Sequence, residues 1–142
     1  MKYTIHISKK CNNNTRKSVG HLLWKYNQDT LQNYKEPVRL EMVVKDKRGN
    51  ILGGLYGESY WGWMYVNFLV VRKEYRNMGI GLELMKQIER ETLKRNLTKI
   101  RLNTFDFQAP EFYKKLGFEV AAVEEGFPEG SKTYYMQKYL SR

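Results

Sequence analysis

The chain has 142 residues, 42% of them hydrophobic and 14% aromatic, and a formal charge of +10 from 25 basic and 15 acidic residues. That length matches one ordinary domain, and the composition excludes a disordered chain. No apolar run approaches the ~20 residues of a membrane span, no signal-peptide pattern opens the chain, and the lone Cys11 offers neither a disulfide framework nor a zinc spacing. A reducing cytoplasm is the expected compartment, with no membrane partner.

The first acidic residue is Asp29, so Lys2, Lys9, Lys10, Arg16, Lys17 and Lys25 form a wholly basic N-terminal segment. Basicity points to acidic partners such as nucleic acid or a polyphosphate. Neither a zinc-finger spacing nor an aromatic-basic RNA-binding signature accompanies it, which argues against nucleic acid.

Residues 1–8 alternate Tyr3, Ile5 and Ile7 with polar neighbours, a pattern that predicts a first strand. Residues 10–17 read as a polar loop, after which Thr15 or Ser18 would cap a helix carrying Val19, Leu22, Leu23, Tyr26 and Leu31. The stretch 27–35 either extends that helix or forms a short second one. Val38, Leu40, Met42 and Val44 alternate with Arg39 and Glu41 as a half-buried strand, residues 46–50 turn, and residues 51–57 return as its hairpin partner. Gly53 and Gly54 in that partner mark either close backbone packing or the approach of a ligand.

Following a turn at 60–62, residues 63–71 are rich in β-formers on both faces and predict a central strand. A basic, glycine-containing turn leads into a helix with Ile80, Leu84, Met85 and Ile88 on one face, ended by Asn96 and followed by a strand over 98–104. Strand, helix, strand is a βαβ crossover, so both strands belong to one sheet. Residues 106–118 predict a short helix with Pro110 in its first turn, Glu111 near its start, lysines near its end and Gly117 as its stop. Strands over 118–124 and 133–140 complete one domain, 1–142. Tyr134, Tyr135 and Tyr139 of the last strand would lie in the sheet interior or at the edge of a homodimer.

The turn between Val70 and Leu82 suits an anion. The first N–H groups of a helix have no intrahelical partner and sit at the positive end of its dipole, Arg76 adds charge, and Gly79 and Gly81 let a ligand approach the backbone. A dinucleotide fingerprint would need a third glycine where Leu84 stands, and a P-loop would need Gly-Lys-Ser/Thr; neither is present. His6 and His21 are isolated, so no metal site is expected, and no Ser-His-Asp or Cys-His grouping is readable.

Arg76-x-x-Gly79-x-Gly81, followed about thirty residues later by Ala109-x-x-Phe112-Tyr113-Lys114-Lys115-Leu116-Gly117-Phe118, resembles the two signature segments of the GCN5-related N-acetyltransferase (GNAT) family. The resemblance spans nearly the whole chain. It implies an α/β (α+β) fold with a mixed central sheet of six to seven strands flanked by helices, in the order β-α-(α)-β-β-β-α-β-α-β-β. It also implies transfer of an acetyl group from acetyl-coenzyme A to an amine acceptor.

By the same resemblance the pyrophosphate would rest on the backbone of Arg76, Asn77, Met78, Gly79, Ile80 and Gly81, and the pantetheine arm would run along Leu69, Val70 and Val71. Ala109, Phe112 and Lys115 would complete the coenzyme site. Tyr113 falls where relatives hold a tyrosine near the coenzyme sulfur, and a phenol can protonate a departing thiolate. Asp106 stands where many relatives have Asn. The central strand offers Tyr65 and Asn67 but no carboxylate, which leaves Glu58, Glu125 and Asp106 as candidates to hold the water that deprotonates the amine. Tyr56, Tyr60, Trp61, Trp63 and Phe127 are available to an acceptor pocket, as hairpin core or as a cage for a cationic amine. A non-catalytic coenzyme-binding or basic nucleic-acid-binding module on the same fold is the alternative.

Overall fold

The computed structural model describes residues 1–141; Arg142, part of the expected domain, lies outside them. The chain forms two compact units, Met1–Lys35 and the remainder from Glu36 onward.

The first unit is built on helix α1 (Asn13–Thr30). Asn12 caps it, its Oδ1 accepting from the N–H groups of Asn14 at 2.9 Å and Thr15 at 3.2 Å. The helix therefore begins ahead of the expected Thr15 or Ser18, because an Asn side chain satisfies two otherwise orphaned donors. Residues 1–8 form no strand, contrary to their alternation, and Tyr3, Ile5 and Ile7 are 82%, 75% and 93% exposed. Alternation makes a segment fit for a sheet edge, but a strand exists only where a partner takes its N–H and C=O groups. Within this unit His21 stacks on Trp24 at 5.1 Å, and Tyr34 meets the same indole edge-on.

The second unit is a six-stranded sheet with the strand order β1-β2-β3-β4-β6-β5. Strands β1 (Val38–Lys45), β2 (Ile51–Tyr60) and β3 (Trp63–Val71) form an antiparallel meander. Its first turn is held by Asp46, whose Oδ1 accepts from the N–H groups of Arg48 and Asn50, with Gly49 at φ +84°. The second is a two-residue turn, Trp61 and Gly62 both at positive φ, the twist that suits a tight hairpin. Gly53 and Gly54 answer to packing: a Cβ on either would stand 2.6 Å from a carbonyl oxygen of the adjacent strand, Val70 and Met42 respectively.

Helix α2 (Ile80–Lys94) crosses from β3 to β4 (Lys99–Phe105), which pairs parallel with β3 as the crossover predicts. Helix α3 (Pro110–Lys115) then leads to β5 (Glu119–Glu125) and β6 (Lys132–Tyr139). Since β6 runs between β4 and β5, its tyrosines are not on an edge, and of the two alternatives the sheet interior is the one observed. Leu84, Met85 and Ile88 of α2 pack with Leu55, Met64, Val66, Ile100, Leu102 and Met136 of the sheet, and Tyr113 and Phe118 join the same core. Burying one such side chain contributes roughly 1.5–3 kcal/mol. Arg95, at the end of α2, donates to the Val38 carbonyl and the Ser59 hydroxyl, and Lys138 of β6 pairs with Glu89, so strands β1, β2 and β6 are tied to the helix.

Candidate active site

Strands β3 and β4 pair only over Met64–Val66 and Ile100–Leu102. Beyond that point β3 stays paired with β2 as far as Val71, and β4 with β6 as far as Phe105. The two central strands therefore part, leaving Asn67–Val71 and Asn103–Phe105 without a strand partner on the sides that face the gap. A bulge sits at the parting: Gly57 is opposite Val66 and Tyr56 opposite Phe68, so Asn67 is the extra residue. Such a bulge bends its strand and re-aims the backbone. Sequence reasoning missed Asn67 as a structural determinant, because a register shift between strands leaves no trace in the spacing of one of them.

At the end of β3 the Arg76 guanidinium turns back, its Nε donating to the Val71 carbonyl at 3.0 Å. This closes the turn over a short 3-10 helix, Lys73–Tyr75. Asn77 and Gly79 both take left-handed φ, +61° and +82°, and Gly79 caps α2 with no side chain bonded to the helix end. The first intrahelical bond runs from the Glu83 N–H to the Gly79 carbonyl, so the N–H groups of Ile80, Gly81 and Leu82 have no partner within the helix. Arg72, Lys73 and Arg76 of the preceding turn are exposed, and the helix dipole adds positive potential at the helix start.

Helix α3 brings the second segment to the same place. The Ala109 N–H donates to the Thr104 hydroxyl of β4, and the half-buried Phe112 ring meets Gly81, where a Cβ would stand 3.4 Å from Phe112 Cζ and 3.9 Å from Leu69 Cδ2. Leu69, Gly81 and Phe112 are thus one cluster. Tyr113 is 7% exposed, with the Phe112 and Phe118 rings edge-on at 5.1 and 5.8 Å, and burial pushes its phenol above the usual 10. Lys115 is exposed at the far end of α3.

The three carboxylates separate. Glu125 is at the solvent-exposed end of β5 in an ion pair with Lys132 at 3.3 Å. Asp106 is exposed just past β4, its N–H donating to the Lys132 carbonyl. Glu58 alone is half-buried, directly across from Tyr65 of β3, on the sheet face away from α2. That face carries most of the aromatic set: Tyr56 stacks on Phe68 and donates to Glu41, Tyr60 meets Trp61, and Trp63 meets Tyr139. Phe127 is elsewhere, beside Phe105. Tyr60, Trp63, Tyr65, Arg101, Asn103 and Tyr135 line a cavity of about 470 Å³ on this face. Among the described residues no cluster of His, Cys, Asp and Glu could hold a metal ion, and no helix is long and apolar enough to cross a membrane.

Residues 10–118 match the model of the acetyltransferase (GNAT) family. The chain belongs to that family. Its relatives include a blasticidin-S acetyltransferase from Streptomyces morookaense, 33% identical over 66% of this chain and 70% of the relative. Among solved structures, an acetyltransferase from Bacillus cereus ATCC 14579 is 30% identical with a TM-score of 0.84, covering 96% of this chain and 98% of the other. A putative streptothricin acetyltransferase from Bacillus anthracis str. Ames, solved in complex with acetyl coenzyme A, shares the fold with a TM-score of 0.64 at 21% identity, covering 80% of this chain and 68% of the other.

Members of the GNAT family use acetyl-CoA, and the residues present here fit it. The coenzyme combines a pyrophosphate with an amide-bearing arm. The N–H groups at the start of α2 suit the first, and the gap side of Asn67–Val70, which has no strand partner there, suits the second.

Proposed function

We propose that the chain is an N-acetyltransferase moving an acetyl group from acetyl-CoA to a primary amine of a small-molecule or amino-acid-like acceptor by direct attack, within one acetyltransferase domain. The observation that carries this reading is the parting of β3 and β4 beside the uncapped start of α2. The coenzyme supplies an acetyl group activated as a thioester. The backbone of 76–81 binds its pyrophosphate, Leu69, Val70 and Val71 pair with its arm, and Ala109, Phe112 and Lys115 flank it. Aligning amine and thioester in this cleft supplies the larger part of the acceleration, of the order of 7–11 kcal/mol.

Tyr113 is the group assigned to protonate the departing thiolate. Its burial keeps it neutral through the whole neutral range and makes it a weaker acid than a free phenol. Donation to an ordinary thiolate is uphill by more than roughly 2 kcal/mol, a gap narrowed because the same apolar wall disfavours the thiolate too. Glu58 is assigned to hold the water that takes the ammonium proton, being the one half-buried candidate of the three and directly across from Tyr65 of β3. Only about one part in two thousand of an alkyl amine is free base at pH 7, so such a route raises the reactive fraction.

Thiol release from acetyl-CoA across a panel of amines tests the reading. Amine-dependent release is expected. Tight coenzyme binding without turnover of any amine, joined to salt-sensitive nucleic-acid binding, would instead assign a binding module.

A further inference from the structure

On the sheet face away from α2, Arg101 of β4 projects into the 470 Å³ cavity between two tyrosines. Its guanidinium lies 5.5 Å from the Tyr60 ring and 5.1 Å from the Tyr65 ring, and its Nη2 donates to the Tyr60 hydroxyl at 2.6 Å. Two residues earlier on the same strand, Lys99 lies 5.3 Å from the Trp63 ring. No carboxylate pairs with Arg101 among the described residues, and the hydroxyl of Tyr135, which also lines the cavity, is taken by Glu124. The Tyr60, Tyr65 and Trp63 rings thus already meet the protein's own cations. What the cavity presents is a guanidinium held in place with donors to spare.

From this we propose that Arg101 binds an anionic group of the acceptor, so that the acceptor is an amine that also carries a carboxylate. The proposal rests on the acetyltransferase reading and names the substrate class of that site. A guanidinium fork matches a carboxylate through two parallel hydrogen bonds, and the flanking rings fix its orientation in advance. An acceptor headed by a second cation meets Arg101 and Lys99 at the Tyr60, Tyr65 and Trp63 rings, so this cavity disfavours it. The same cavity is lined by Asn103, the first residue past the last β3–β4 pair, so an acceptor held on Arg101 extends from the guanidinium towards the opening.

The test compares 6-aminohexanoate, hexylamine and 1,6-diaminohexane as acceptors for the full-length protein with acetyl-CoA. The ratio of kcat/KM for 6-aminohexanoate over hexylamine is expected to exceed ten, with the diamine poorest. In Arg101→Gln that ratio falls to near one, and in Arg101→Lys it recovers in part, which a folding defect would not produce. A wild-type ratio at or below one, or a ratio unmoved by Arg101→Gln, overturns the proposal while leaving the acetyltransferase reading intact. If no amine is acetylated, that reading fails instead. Calorimetric binding of 6-aminohexanoate to the protein with coenzyme A then decides the anion site: binding lost in Arg101→Gln supports it, and no binding, or binding that survives the substitution, overturns it.

Discussion

Gly81 and Phe112 meet where the two signature segments cross: a Cβ placed on Gly81 would lie 3.4 Å from Phe112 Cζ, with the Leu69 side chain just beyond. A helix start and a second helix thirty residues later are fastened to the central strand through one glycine. The consequence is measurable. Gly81→Ala gains about 1 kcal/mol of helix propensity and gives much of it back against Phe112, so the melting temperature changes little. Gly81→Val adds branches that the ring cannot clear and costs ~1–3 kcal/mol, with a raised KM for acetyl-CoA. Thermal unfolding and steady-state kinetics on the two variants check both.

Arg76 tests the turn itself. Its Nε bond to the Val71 carbonyl holds the loop closed, and it lies in the turn that leads into the start of α2. Removing a charged hydrogen bond at an exposed site costs about 1.5 kcal/mol, which is roughly tenfold. Arg76→Ala should therefore raise the KM for acetyl-CoA by about that factor and change kcat much less. A fall in kcat at unchanged KM would place Arg76 outside the coenzyme site.

Tyr113→Phe separates the acid role from packing. The ring stays, so the KM for acetyl-CoA should hold, while kcat falls by about 10²-fold if the phenol donates the proton. Stability offers a second readout with a defined sign. Burial raises the folded-state pKa above 10, so the folded chain holds this proton more tightly than the unfolded one, and stability is full below pH 10 and falls as pH rises past it. Tyr113→Phe removes that contribution and flattens the alkaline loss of melting temperature. The loss does not vanish, because Glu41 and Glu124 raise the exposed phenols of Tyr56 and Tyr135 in the same direction.

Glu58→Gln tests the water-holding carboxylate. It keeps the shape and removes the charge, so kcat/KM for the amine should drop by about 10²-fold near pH 7. The deficit should shrink towards pH 10, where the acceptor is its own free base. Glu125→Gln, which only breaks an exposed ion pair with Lys132, should leave the rate within about twofold.

Much of the fold was legible because local chemistry dictates it. The strand over 63–71, the helix with its apolar stripe of Ile80, Leu84, Met85 and Ile88, and the short helix between Pro110 and Gly117 all stand where periodicity and stop signals put them. The alternation of Tyr3, Ile5 and Ile7 misled, since it states which residues could share a face and says nothing of whether another strand is there to bond. Asn12 outcompeted Thr15 and Ser18 as a cap by a difference in side-chain reach that composition does not display.

The sequence by itself determined the family and marked the turn before α2 as the place to propose for an anion, because glycines, an arginine and a helix start act through neighbours a few residues away, which spacing records. Only the tertiary structure decided that β3 and β4 part after Val66, that Asn67 bulges, that Phe112 closes on Gly81, and that Arg101 lies between Tyr60 and Tyr65. Each of these joins residues far apart in the chain. Such contacts depend on strand register and the meeting of separate elements, and no local pattern encodes which of several allowed registers the assembled core will choose.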